Sequence, residues 1–199
     1  MKLAIVGAHR STRDEAPYHD DSYHVWAISR HAVSEWMLRF DAVIDIHTAV
    51  LDPHPKSPGY WDFIQNTDIP VYMLVCDKRV KSARQYPLEK IKTELLQNIQ
   101  HNNKPIEMFT STVDYCIALG VYQRYKQIDL YGIEMNNTTD GEYEYQRPGL
   151  MLWMGLAGGR GVTINIHCIS KMFDVEYGNN LLRYMLRNDK RSIQFKEQP

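Results

Sequence analysis

Four polar stretches hold the side chains with chemistry to offer. The first is Gly7-Ala8-His9-Arg10-Ser11, directly after an apolar run. An imidazole, a guanidinium fork, a hydroxyl and the backbone N–H groups of a glycine loop together suit a phosphate or a carboxylate. The second is Thr110-Ser111-Thr112, set where an apolar helical pattern begins. Hydroxyls and the open N–H groups of a first helical turn either cap the helix or hold an anion. The third runs from Gly132 and Glu134 to Glu142-Tyr-Glu-Tyr-Gln-Arg-Pro-Gly149, in which Tyr143, Tyr145, Gln146 and Arg147 offer two stacking rings, an amide and a guanidinium. Such groups bind a base, a sugar or a phosphate, although tyrosines serve equally well in cores. The fourth gathers Asp45, His47, Asp52 and His54, donors of the kind a divalent cation takes. Prolines 53, 55 and 58 make that stretch read more simply as a stiff polar loop, and no metal ligand is assigned.

These groups need elements to position them, and the apolar pattern supplies strands and helices in alternation. Residues 2–6, 24–29, 41–47, 69–76, 128–131 and 162–167 read as strands. Helical spacing runs through residues 30–40, from Pro87 to about Asn102, through 112–121 and through 150–157. Residues 59–66 read as a short amphipathic turn, or as a lid carrying Tyr60 and Trp61. The expected fold is α/β: a Rossmann-like three-layer sandwich with a mainly parallel sheet of five to six strands and helices on both faces. If the strands are parallel, Gly7, Ser29, His47 and Glu134 leave them at one edge, the ligand rim of an open α/β sheet. The first loop has one glycine rather than three and no helix directly behind it, which excludes the usual NAD or FAD fingerprint.

The remaining composition narrows the field. With 199 residues, 44% of them hydrophobic, the chain can bury one good core, read as a single domain over residues 1–187 with a basic, loose tail over 188–199. No apolar run approaches the roughly 20 residues that span a bilayer, and the expected location is cytoplasmic. A net charge of −1 excludes a global basic field for gripping nucleic acid. Basic residues over 183–196 and Lys78, Arg79, Lys81 and Arg84 read mainly as solvated charges, with local phosphate contacts as the alternative. Cys76, Cys116 and Cys168 lie far apart, each in an apolar run, and are expected to be buried free thiols.

The order of a Val-Gly loop, Val-Trp-Ala-Ile-Ser29, Thr110-Ser111 before an alanine-bearing helix, Ile128-Asp-Leu-Tyr-Gly-Ile-Glu134 and Glu142-Tyr-Glu-Tyr-Gln-Arg-Pro-Gly149 resembles small Rossmann-like proteins encoded by tailed bacteriophages. More distantly it is similar to the catalytic domain of bacterial CMP-sialic-acid-dependent sialyltransferases and to archaeal pterin pyrophosphokinase-like proteins. The resemblance spans Lys2 to about Ser170. It implies a donor nucleotide held by residues 7–11, Ser29, Thr110, Ser111 and residues 132–135. Where sialyltransferases carry an Asn-Gly-Pro-Ser type of loop this chain has Ala8-His-Arg-Ser11, Ser29 stands where asparagine is usual, and no residue matches the histidine base.

The function these residues imply is a nucleotide-binding transferase, glycosyltransferase-like, using a nucleotide-activated donor. Arg10 or Arg147 would steady the departing phosphate, Tyr143 or Tyr145 would stack on the donor, and His47, Glu134 or His9 would deprotonate the acceptor. The expected partner is a nucleotide or nucleotide sugar. A phage origin would place the protein in host cytoplasm and make modified DNA or a nucleotide a conceivable acceptor. A protein that sequesters a signalling nucleotide without turnover is the alternative from another class. Pyrophosphoryl transfer is the neighbouring enzyme reading, with Mg2+ held by Asp45, His47 and Asp52.

Overall fold

Strand β1 (Lys2–Val6) lies inside the sheet, and its Leu3, Ala4, Ile5 and Val6 are wholly shielded from solvent. An apolar run with no alternation belongs in a parallel strand covered on both faces. The computed structural model describes residues 1–47, 58–135 and 142–168, and Met1–Ile169 form one compact unit. The further strands in chain order are β2 (Tyr23–Ile28), β3 (Ala42–Asp45), β4 (Val71–Met73), β5 (Ala83–Gln85), β6 (Gln100–His101), β7 (Lys104–Pro105), β8 (Gln127–Tyr131) and β9 (Thr163–His167). Seven of them build a wholly parallel sheet in the order β5-β4-β3-β2-β1-β8-β9, and β6 and β7 pair apart from it as a small hairpin. The chain winds outward from β1 to β5 and then returns to the opposite flank of β1. Its topological switch point is therefore the gap between β1 and β8, where open α/β sheets place their ligands.

Helices cover both faces. On one face Val6, Val25, Val43, Val71 and Met73 pack with Tyr60, Trp61 and Ile64 of α1 (Tyr60–Asn66), and with Tyr18, Ala32 and Met37 from connecting segments. The other face carries α2 (Leu88–Ile91), continued by a wide turn of π helix over Lys92–Leu96, then α3 (Thr112–Tyr122) and α4 (Glu142–Gly159). Trp153 of α4 is fully buried, donates its Nε1–H to the carbonyl of Met108 at 2.8 Å, and has Phe109 at 4.8 Å between ring centroids. That anchor fixes the segment leading into α3.

The expected α/β sandwich is present, with seven strands in place of five to six. The additional strand, β5, lies in what the sequence presents as a charged exit loop. It is short and half exposed, so it has no apolar run to announce it. The helix expected over residues 30–40 is instead a 3-10 turn over Ser29–Val33 that ends where Ser34 becomes extended. Met37 is in the core with Val33, Trp36 and Phe40 against it, so the helical spacing reported burial without a helix. The polar stretch from residue 142 is helical from its start, and α4 runs on through Pro148. Tyr60 and Trp61 are core residues of α1 and not a lid. Only Cys116 of the three thiols is buried; Cys76 is exposed and Cys168 intermediate, because β4 ends at Met73 and leaves Val75 and Cys76 outside the sheet. The loop carrying Asp52 and His54, the polar turn over 136–141 and the basic tail lie outside the described residues.

Candidate functional site

Gly7 and Gly132 form the crossing of the two loops that leave β1 and β8. The amide of His9 donates to the carbonyl of Gly132 at 3.0 Å, and that of Gly132 to Oγ1 of Thr12 at 2.9 Å. A Cβ on Gly7 would stand 2.5 Å from the Gly132 carbonyl oxygen, and Gly132 has φ +62°. Both glycines thus answer to backbone crowding, since only a residue without Cβ fits such an approach. Beside this crossing a cleft of about 450 Å³ opens along the carboxyl ends of the strands.

The cleft brings together Gly7, Ala8 and His9, then Ser29 and His47 from the exits of β2 and β3, Ser111 from the start of α3, and Gly132, Glu134 and Tyr143. Five other candidates stand outside its lining. Arg10 is exposed, Tyr145 is 78% exposed, and Arg147 donates its Nε–H to the carbonyl of Met135 at 2.9 Å. Ser11 donates its hydroxyl to Oε1 of the buried Glu134, while its amide donates to Nδ1 of His9 at 3.2 Å. Thr110 reaches Asp114.

The most directed arrangement is at the β3 exit. Asp45 is 2% exposed and both its oxygens are engaged. Oδ1 accepts from Nδ1 of His47 at 2.6 Å and from its amide at 3.2 Å; Oδ2 accepts from the hydroxyls of Tyr60 at 2.6 Å and Ser29 at 3.3 Å. Burial alone would raise the Asp45 carboxyl, but the hydrogen bonds from His47 and Tyr60 outweigh it and hold the group below its ordinary range. The same bond to Asp45 raises His47 above 6.5. With Nδ1–H committed to a carboxylate, the neutral ring carries its lone pair on Nε2, the form a general base needs. Ser29 helps from a strained backbone: its φ of +47° is left-handed, a conformation that costs a non-glycine residue about 1–2 kcal/mol. Asparagine tolerates that conformation better than serine.

The start of α3 is already occupied by the chain's own carboxylate. Asp114, fully buried, accepts from the amides of Thr110 at 2.7 Å and Ser111 at 3.1 Å and from the Ser111 hydroxyl at 2.9 Å, and returns its own amide to Ser111 Oγ at 3.3 Å. This is a capping box, worth about 1 kcal/mol, and it commits Ser111 to the helix. Thr112 and Val113, whose first-turn N–H groups have no helical acceptor, line the cleft beside it. The Ser-x-x-Asp spacing of residues 111–114 is a signal from which sequence reasoning could have read this.

Sequence reasoning missed His31 and Glu142, whereas Gln146, whose amide the sequence offers to a ligand, does line the cleft. Gln146 donates to Glu142 Oε1 at 2.6 Å within the first turns of α4. Burial, with Arg30 and Arg13 nearby, pushes His31 down to about 4, the opposite direction to His47. Among the described residues no group of three His, Cys, Asp or Glu side chains could hold a metal ion. None of their helices is long and apolar enough to cross a membrane.

No protein-family model matches the chain, and no curated protein sequence is significantly similar to it. Among solved structures, the sialyltransferase CstII from Campylobacter jejuni, in complex with a substrate analogue, cytidine-5'-monophosphate, shares 13% identity, with 86% of this chain and 81% of that one covered and a TM-score of 0.49. A likeness of this degree carries no ligand or activity from that protein to this chain.

Proposed function

We propose that the chain is a transferase: it holds a nucleotide-activated donor, a nucleotide sugar by the class its motif order implies, in the switch-point cleft, and His47 takes the proton of an acceptor hydroxyl. The observation that carries this reading is the Asp45–His47 pair, a buried carboxylate aligned on Nδ1 of a half-exposed imidazole at the cleft wall. The donor phosphate fits against the loop of Gly7, Ala8 and His9 and the amides of Thr112 and Val113, which the capping box leaves without a helical acceptor. These backbone N–H groups stabilise the charge the phosphate gains on leaving. Tyr143 and Gln146 of α4 offer a ring and an amide to the nucleoside.

The test is a thermal-shift screen against nucleoside mono-, di- and triphosphates and nucleotide sugars, with and without magnesium, followed by product analysis of whichever donor binds. The expected result is a raised Tm with one nucleotide class and turnover that falls about 10²–10⁴-fold in His47→Ala while the Tm shift persists. Absence of any shift would sink the cleft as a nucleotide site. Tight binding with no product over hours would establish sequestration in place of transfer.

A further inference from the structure

His47 borders a second cavity. On the far side of the β3 exit a cleft of about 400 Å³ opens at the carboxyl end of β4, walled by Met73 and by Val75, Cys76, Asp77, Lys78 and Arg79. Among the described residues His47 alone lines both clefts. Register explains why: Asp45, the last residue of β3, pairs with Met73, the last residue of β4, so His47 follows as a partition between two neighbouring strand exits.

We propose that this second cleft is the acceptor subsite and that it takes a small hydroxyl compound bearing a carboxylate or a phosphate group. The assignment rests on the transferase reading above. A base enclosed wholly in the donor cleft would meet only the donor, whereas a base on a shared wall meets both reactants. The acceptor O–H gives its proton to Nε2 of His47, and its oxygen forms a bond to the donor's electrophilic carbon. The bond from that carbon to the nucleotide phosphate oxygen breaks, its electron pair leaving with the phosphate.

The wall also states a charge preference. Met73 and Val75 are apolar, and Val75 is 62% exposed, an uncovered aliphatic group against which a carbon skeleton can lie. Two cations stand against one anion. Arg79 grips Asp77 through Nε at 3.0 Å and Nη2 at 2.7 Å, and its guanidinium lies over the Trp61 ring at 4.6 Å, so both are fixed. Lys78 then leaves the wall net positive beside His47.

The experiment uses Cys76 as a reporter. In a Cys168→Ser background, with Cys116 buried, alkylation by iodoacetamide reads Cys76 inside the second cleft. Glycerol phosphate or glucuronate is expected to slow it severalfold, and glycerol or glucose to leave it unchanged. Equal protection by inorganic phosphate overturns the acceptor assignment, since it needs no hydroxyl; equal protection by the neutral compounds overturns the charge preference. Filling the cleft with Val75→Trp, at a position too exposed to disturb the core, is expected to cut transfer about tenfold or more while the nucleotide still raises Tm. Unchanged transfer in that variant overturns the subsite. A nucleotide that binds and turns over without any protection of Cys76 defeats only the second cleft, whereas failure of every nucleotide to bind defeats the transferase reading with it.

Discussion

Asp45 lies two residues before His47 along the chain, yet its effect on chemistry would be felt entirely through that ring. Asp45→Asn keeps the shape and removes the charge. Its carboxamide oxygen still accepts from the Nδ1–H and amide of His47, with the NH2 turned to the hydroxyls of Tyr60 and Ser29, but it no longer stabilises the imidazolium that forms when Nε2 takes the proton. The expected loss is roughly two orders of magnitude in kcat with little change in KM for the donor. The acid limb of the kcat/KM profile is also expected to move down in pH, because the bond to Asp45 is what raises His47. A variant that lost activity with an unmoved limb would make Asp45 a packing residue only. At this scale the sequence was legible where a polar residue ended an apolar run, which is how Gly7, Ser29, His47 and Glu134 came to one rim. It was silent where the partner was distant, as for Ser11 on Glu134 or Tyr60 on Asp45, because side-chain pairing across the sheet leaves no spacing signal.

Among the elements, α4 shows how a local rule yields to packing. Pro148-Gly149 reads as a helix boundary, since proline removes an amide donor and glycine costs backbone entropy. The helix nevertheless continues, because Gly149 lies where α4 crosses the start of α3. A Cβ there would stand 2.2 Å from Thr110 Oγ1 and 2.4 Å from Asp114 Oδ2, while one on the exposed Gly155 would meet nothing within 4 Å. Gly149→Ala is therefore expected to destabilise by about 1–3 kcal/mol through forced separation of the two helices. Gly155→Ala is expected to stabilise by about 0.5–1 kcal/mol through helix propensity alone. Urea unfolding of the two variants checks both signs, and equal effects would refute the crossing as the reason for Gly149. The same lesson in reverse holds for residues 30–40, where apolar spacing was satisfied by packing on the sheet without a continuous helix. Sequence pattern sees which residues must be buried more clearly than it sees the backbone that buries them.

Across the molecule, two of the cleft's histidines, His31 and His47, act on folding with opposite signs. The His47 pKa is raised, so its bond to Asp45 contributes fully below about pH 6.5, the unfolded value, and is lost as pH rises through the raised folded value. His31 is lowered to about 4 by burial and by Arg30 and Arg13. Between pH 6.5 and 4 the unfolded chain takes up its proton and the native one does not, which withdraws up to roughly 3 kcal/mol of stability on acidification. Asp114, raised by burial, opposes part of that loss, and Asp45, held low, adds to it only below the ordinary carboxylate range. Stability should therefore peak in mildly acid to neutral solution and fall away on both sides. Thermal unfolding from pH 4 to pH 9 is the measurement, and the variants assign the two slopes. His31→Gln should flatten the acid side, by roughly 5–10 °C of Tm at pH 4 relative to the wild-type decline, and leave the alkaline side alone. His47→Gln should flatten the alkaline side only. An acid slope that survives in His31→Gln would mean that the imidazole of His31 is reached by water and charges freely in the folded protein.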